Sequence, residues 1–200
     1  MVFPGRSWPT ALLLAGLAFA GATTALAQAP AQPPAPAPAP EQTTRPGEPF
    51  GEEVVLAPKK IVYLKGTATW DTAFDTLVES FKSVYDFLDR QGIKPAGPAM
   101  AIYTATDDTG FEFEAAVPIA DDPKDPPQGD LAVGTTPDGK ARKFVHHGSY
   151  DSLENTYDAI THFLDDNKLE ARELYIEQYV TDPRTTAEDA LVIEVLVPIK

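Results

Sequence analysis

Residues 113–119 read Phe-Glu-Ala-Ala-Val-Pro-Ile, and 80 positions later residues 193–199 read Ile-Glu-Val-Leu-Val-Pro-Ile. Upstream, Phe74-Asp75-Thr76-Leu77 matches Tyr150-Asp151-Ser152-Leu153, and Phe87-Leu88-Asp89 matches Phe163-Leu164-Asp165, both at an offset of 76. Three blocks in one order mark a duplicated unit. The halves lie at about 59–120 and 140–200.

Each half carries the same sequence of patterns. Residues 60–65 (KIVYLK) and 142–147 (RKFVHH) are short strand candidates that end at Gly66 and Gly148. A helix is predicted over 71–91, where Phe74, Leu77, Val78, Phe81, Val84, Tyr85 and Leu88 form one stripe at helical spacing. A second helix is predicted over 151–167, with Asp151 and Glu154 at capping-box positions and Leu153, Tyr157, Ile160 and Leu164 along its face. Two strand candidates follow each helix: 99–105 with 110–118, then 173–180 with 190–198. The expectation is an α+β fold, a duplicated β-α-β-β unit with a pseudo-twofold. Its antiparallel sheet would carry two helices on one face and a ligand groove on the other.

Alternation along the strands then sorts side chains by face. The more apolar set of each strand is assigned to the helices: Met100, Ile102 and Thr104; Phe111, Phe113, Ala115 and Val117; Leu174, Ile176, Gln178 and Val180; Leu191, Ile193, Val195 and Val197. The other face would hold Tyr103, Tyr175, Tyr179, Glu112, Glu114, Glu177 and Glu194, with small Ala99, Ala101 and Ala116 leaving volume among them. Aromatic rings around a shielded carboxylate suit a flat cationic ligand. Trp70 lies in a stretch (residues 67–74) that breaks the repeat, in a position to cap the groove.

Outside the repeat the chain reads as an address and a spacer. Residues 10–20 (TALLLAGLAFA) form an apolar run after a single basic residue, Arg6, and Ala25-Leu26-Ala27 offers a cleavage site. The expected domains are a signal peptide at 1–27, an Ala/Pro-rich disordered linker at 28–55 and a folded domain at 56–200. The run is too short to span a bilayer, and with no cysteine there is no lipid anchor, disulfide or thiolate chemistry. The expected location is the periplasm, with no membrane insertion after cleavage. A net charge of −14 excludes a sequence-independent nucleic-acid binder. His146 and His147 point to opposite strand faces and make poor joint ligands, so neither metal nor cofactor is expected.

The stretches 111–119 (FEFEAAVPI), 143–153 (KFVHHGSYDSL), Tyr157, 175–183 (YIEQYVTDP) and 195–199 (VLVPI) resemble the GyrI-like small-molecule-binding domain. This is the effector-binding domain of some AraC-type and MerR-type bacterial transcription activators. The resemblance implies a ligand groove along the pseudo-twofold and an acidic residue that meets cationic aromatic compounds, a position taken here by Glu177. Some stand-alone members resemble hydrolases of strained alkylating compounds. No helix-turn-helix pattern is present.

The reading is therefore a periplasmic binder of small amphipathic, cationic aromatic compounds through Glu177, Tyr175, Tyr179, Tyr103, Glu114, Glu194 and Trp70. One alternative is a hydrolase of reactive electrophiles with Glu177 as general acid/base and Tyr179 polarising the leaving group. The other is an envelope scaffold that holds a protein partner through the Ala-Pro segment.

Overall fold

The structure, a computed structural model, describes residues 48–200. The expected leader and most of the Ala-Pro segment lie outside the described residues.

The chain runs β1 (Glu52–Leu56), β2 (Lys60–Thr69), α1 (Ala73–Gln91), β3 (Met100–Thr106), β4 (Gly110–Pro118), β5 (Leu131–Thr135), β6 (Gly139–His147), α2 (Leu153–Asp166), β7 (Tyr175–Tyr179) and β8 (Val192–Pro198). The eight strands form one antiparallel sheet in the order β1-β6-β8-β7-β3-β4-β2-β5. β-α-β-β occurs twice, and β3 pairs with β7 where the two units meet.

Two strands were not expected. The linker predicted through residue 55 stops short, because Glu52–Leu56 is β1. Its acidic start obscures a strand. Glu52 pairs with Lys143 (2.8 Å) and Glu53 with Arg142 (3.0 Å), while Val54 and Leu56 pack on the second core. Just ahead, Phe50 lies edge-on to Phe144 and Phe163, with ring centroids 4.8 and 5.9 Å away. β5 is likewise a short strand in the segment between the halves.

These two strands close the architecture. Glu52 pairs with Lys143, Leu56 with Gly139, Lys60 with Thr135 and Leu64 with Leu131, all in one register. Between them Lys59 N–H donates to Thr136 Oγ1 and Thr136 N–H donates to the Lys59 carbonyl, each at 2.9 Å. So β1–β2 and β5–β6 are two long bent strands lying side by side, kinked at Pro58 and Pro137. Proline lacks a ladder donor and fits at such a break. β1 and β2 stand six places apart in the strand order. A flat sheet would separate them by roughly 29 Å. The link through residues 57–59 can reach at most about 14 Å. The sheet must curl until its margins meet.

The curl buries both faces. On the outside, α1 and α2 cover Phe113, Ala115, Val117, Phe144, Ile193, Val195 and Val197. Inside, Ile61, Met100, Ile102, Ala116, Ile176 and Leu196 form a second core. This corrects the expected facing of β3 and β7. Met100, Ile102 and Ile176 point away from the helices, whereas Ala99, Ala101, Tyr103 and Tyr179 pack with them. A strand apolar on both faces gives alternation no preferred side. The assignment for β4 and β8 stands.

Both helices begin two residues later than expected, after 3-10 turns at Trp70–Thr72 and Tyr150–Ser152, and neither start is capped by a side chain. Asp151 and Glu154 therefore form no capping box. At the other end of α1, Gly92 is left-handed (φ 68°), with its N–H bonded to Asp89 and that of Ile93 to Leu88. A methyl group at Gly92 would meet nothing within 4 Å. Gly92→Ala should therefore cost only the backbone term, about 1 kcal/mol in chemical denaturation. No loss would show that the left-handed cap is dispensable.

Candidate functional site

Alternation on β7 puts Tyr175, Glu177 and Tyr179 on one face, the face covered by the helices. Opposite Glu177 on β3 stands Ala101, and opposite Tyr175 stands Tyr103. Small Ala99 and Ala101 leave room at this seam for large rings. The sequence places the acid correctly among its tyrosines and the structure places the group on the other side of the sheet.

The carboxylate is enclosed. Glu177 is 1% exposed. Tyr157 of α2 donates to Oε1 at 2.9 Å and Tyr179 to Oε2 at 2.9 Å. The Tyr103 hydroxyl is near enough to help favour the ionised carboxylate. Burial pushes the Glu177 carboxyl above the usual carboxylate range, and the three phenols oppose that shift. No cation enters the balance among the described residues. The same burial, reinforced by the charge of Glu177, holds the Tyr103, Tyr157 and Tyr179 hydroxyls protonated, far above their ordinary range. An ionised carboxylate only accepts, so Tyr157 and Tyr179 donate.

Tyr150 completes the cage. Its hydroxyl lies 3.1 Å from that of Tyr103. Either hydroxyl can be the donor between them. The Tyr150 ring stacks on Phe74 at 5.2 Å and 30°. Phe81 meets Tyr179 edge-on at 5.2 Å, and Tyr157 meets Tyr175 at 5.9 Å. Buried His146 supports the turn that carries Tyr150. Its Nε2–H donates to the Ser149 carbonyl (3.0 Å), and its Nδ1 bonds Thr156 Oγ1 (2.8 Å). Burial lowers the His146 pKa.

The structure divides the other expected site residues. Glu114 faces away from the helices beside Lys65 (3.5 Å). Glu194 shares that face, accepting from Gln178 (2.7 Å) with Lys143 at 3.9 Å. Both are remote from the cage because their strands kept the expected facing while β3 and β7 did not. Trp70 is 44% exposed. It donates Nε1–H to the Asp107 carbonyl and tilts against Phe111 at 5.0 Å, which in turn meets Tyr103 at 4.9 Å. One ring, Phe111, thus separates it from the cage, and it does not cap it. Tyr157 and Tyr150 belong to the cage instead. Helical spacing reads Tyr157 as an apolar position, although its hydroxyl is the part that serves. The match of Tyr150 with Phe74 was the available signal for the stacked pair. Among the described residues no group of three or more His, Asp or Glu is placed to hold a metal.

The model of the GyrI-like small molecule binding domain matches residues 52–200. A search of curated proteins gives no match. Among solved structures, the EcmrR C-terminal domain superposes with a TM-score of 0.63 at 15% identity, over 75% of this chain and 96% of that one. In the EcmrR–DNA complex the match covers 57% of the EcmrR chain. A hydrolase encoded by lin2189 from Listeria innocua gives 0.54 at 11% identity, over 76% and 92%. SAV2435 bound to tetraphenylphosphonium gives 0.52 at 15%, over 75% and 93%. At these identities the likeness is one of fold.

The raised Glu177 pKa has a sign in stability. Below the unfolded carboxyl pKa both states are protonated and the burial of charge costs nothing. As pH rises through the folded pKa the native state must ionise a buried group, and stability falls. Glu177→Gln removes that loss. Its melting temperature should gain on the native protein as pH is raised from about 4 to 7.5. A constant difference across that range would show that the carboxyl titrates as if in water.

Proposed function

The chain belongs to the GyrI-like small-molecule-binding domain family, and we propose that the small molecules it takes up are amphipathic aromatic cations, bound at Glu177 in a bacterial periplasm. The carrying observation is a fully buried carboxylate with two phenol donors and no cationic partner among the described residues. Moving a carboxylate out of water costs several kcal/mol. Two hydrogen bonds to a charged group, each worth about 1.5–3 kcal/mol, hold the anion in place. They do not neutralise it. A ligand cation would, and the rings of Tyr103, Tyr157, Tyr175 and Tyr179 add apolar area and cation–π attraction of about 0.5–2 kcal/mol.

The cellular setting rests on the sequence. Residues 1–27 have the make-up of a leader for export, which separates the domain from DNA. A protein partner along the Ala-Pro segment is compatible with this reading. The net negative charge disfavours nucleic acid and anionic lipid surfaces alike.

A second reading has one observation behind it. A carboxyl with a raised pKa, bonded to phenols, is a general acid/base in waiting. Glu177 would shuttle the proton of a water attacking an electrophile, and Tyr179 would polarise the leaving group. The likeness to a Listeria hydrolase accords with this.

Calorimetric titration separates the two. Tetraphenylphosphonium should bind the native protein, and Glu177→Gln should weaken it by tenfold or more, while neutral triphenylphosphine oxide is unaffected. Equal weakening of both probes would remove the charge role. Turnover of a test epoxide that disappears in Glu177→Gln would favour the enzyme.

A further inference from the structure

We infer that the chain has a second binding site, apart from the cage, and that it takes a saccharide: one sugar ring stacks on Trp70 while Asp107, Glu112 and nearby threonines bond its hydroxyls. The site is a cleft where β2 ends and the β3–β4 hairpin turns. It does not depend on the cation reading of Glu177.

The cleft is open and holds about 530 Å³, within the range of roughly 300–1,000 Å³ usual for small-molecule sites. Its walls follow from strand alternation. Thr67 and Thr69 of β2 share a face with Glu112 of β4, which pairs with Thr67. A bulge between Tyr103 and Ala105 shifts β3 by one residue, so that Ala105 and Thr106 pair with Glu112 and Phe111. Bulges re-aim side chains at the margins of sheets. The turn that follows supplies another wall. There Asp107 Oδ1 accepts from Thr109 N–H (2.7 Å), Thr109 Oγ1 (2.6 Å) and Gly110 N–H (3.0 Å).

Trp70 stands at the rim. It lies between Thr69 and Thr72 in the chain, donates Nε1–H to the Asp107 carbonyl at 2.9 Å and leans on Phe111. The indole N–H is its one polar group, and the protein itself uses it. What remains is a flat apolar ring, 44% exposed and fixed at two points. An incoming ring meets a surface already ordered. The C–H face of a sugar fits it.

Polar groups around the cleft are left over. Asp107 Oδ2, both Glu112 oxygens and the Thr67 and Thr106 hydroxyls take no hydrogen bond among the described residues. The bonds from Thr109 and Gly110 hold the Asp107 carboxyl below the usual carboxylate range, so it remains an acceptor. Five of the eleven residues lining the cleft are threonine, and none is Lys or Arg. Threonine hydroxyls donate and accept, as sugar hydroxyls do, and carboxylates only accept. A neutral ligand rich in hydroxyls uses both. An anion would meet two carboxylates. An ammonium ion offers donors alone and leaves the threonine protons unused.

The chain has two tryptophans, Trp8 and Trp70, so the full chain carrying Trp8→Phe reports on Trp70 alone. Its emission should shift and saturate on titration with at least one of maltotriose, cellotriose and tri-N-acetylchitotriose, at millimolar concentration or below. Trp70→Ala should abolish that binding in calorimetry. Glu112 is exposed and unbonded, so Glu112→Gln should leave the melting temperature unchanged and weaken the trisaccharide at least fivefold, which keeps the test alive if Trp70→Ala does not fold. No saturable response to any of the three sugars would overturn the inference, as would binding that both variants leave intact. A shift with spermidine and none with the sugars would make the cleft a cation site and overturn it too. Glu177→Gln should leave the sugar titration unchanged; a loss there would move the sugar to the cage and overturn the inference. Sugar binding in a protein that takes no tetraphenylphosphonium would uphold the cleft and defeat only the cation reading of Glu177.

Discussion

The antiparallel ladder between the two bent strands is the constraint from which the remaining geometry follows. It runs in one register from Glu52 against Lys143 to Leu64 against Leu131. Because each bent strand serves both margins of the sheet, the sheet cannot flatten. Curling creates a second, inner core around Ile61, Met100, Ile102 and Ile176. Once that core exists, β3 and β7 must show their apolar residues inward. Their small and aromatic residues are then turned toward the helices. The acidic cage is a product of this curl.

The cage also shows how a family fold can be tuned by a few polar atoms. Two phenols donate to one carboxylate, two more meet hydroxyl to hydroxyl beside it, and a stacked ring holds the outermost. Such directional networks are stiff when complete and costly when a member is lost. They suit a site that is organised before any ligand arrives.

Much of this was legible in the residues. The repeat blocks located both helices and six of the strands, and the E-x-Y spacing on β7 singled out Glu177 with its two flanking tyrosines. What could not be read was which way the central strands face. A half-buried strand announces its inner side by alternating polarity, but Met100-Ala101-Ile102-Tyr103 is apolar at every position. β1 was hidden by Glu52 and Glu53, whose partners Lys143 and Arg142 lie 90 residues away. Tyr157 was hidden by chemistry, since a phenol placed for its hydroxyl has the same spacing as one placed for its ring. Glu114 and Glu194 looked like site residues only because the two faces had been exchanged on β3 and β7.

The seating of Phe50 bears on mechanics. Ahead of the first ladder bond, from Gly51 N–H to the Lys143 carbonyl, the chain is fastened twice. Phe50 wedges between Phe144 and Phe163, and Glu48 bonds the His147 ring at 2.8 Å. Tension arriving through the preceding residues would load these fastenings before it reached a strand. The domain is in effect strain-relieved, as a cable is by a clamp at its socket, and a pull on the preceding residues would leave the cage around Glu177 undisturbed until the aromatic wedge slipped.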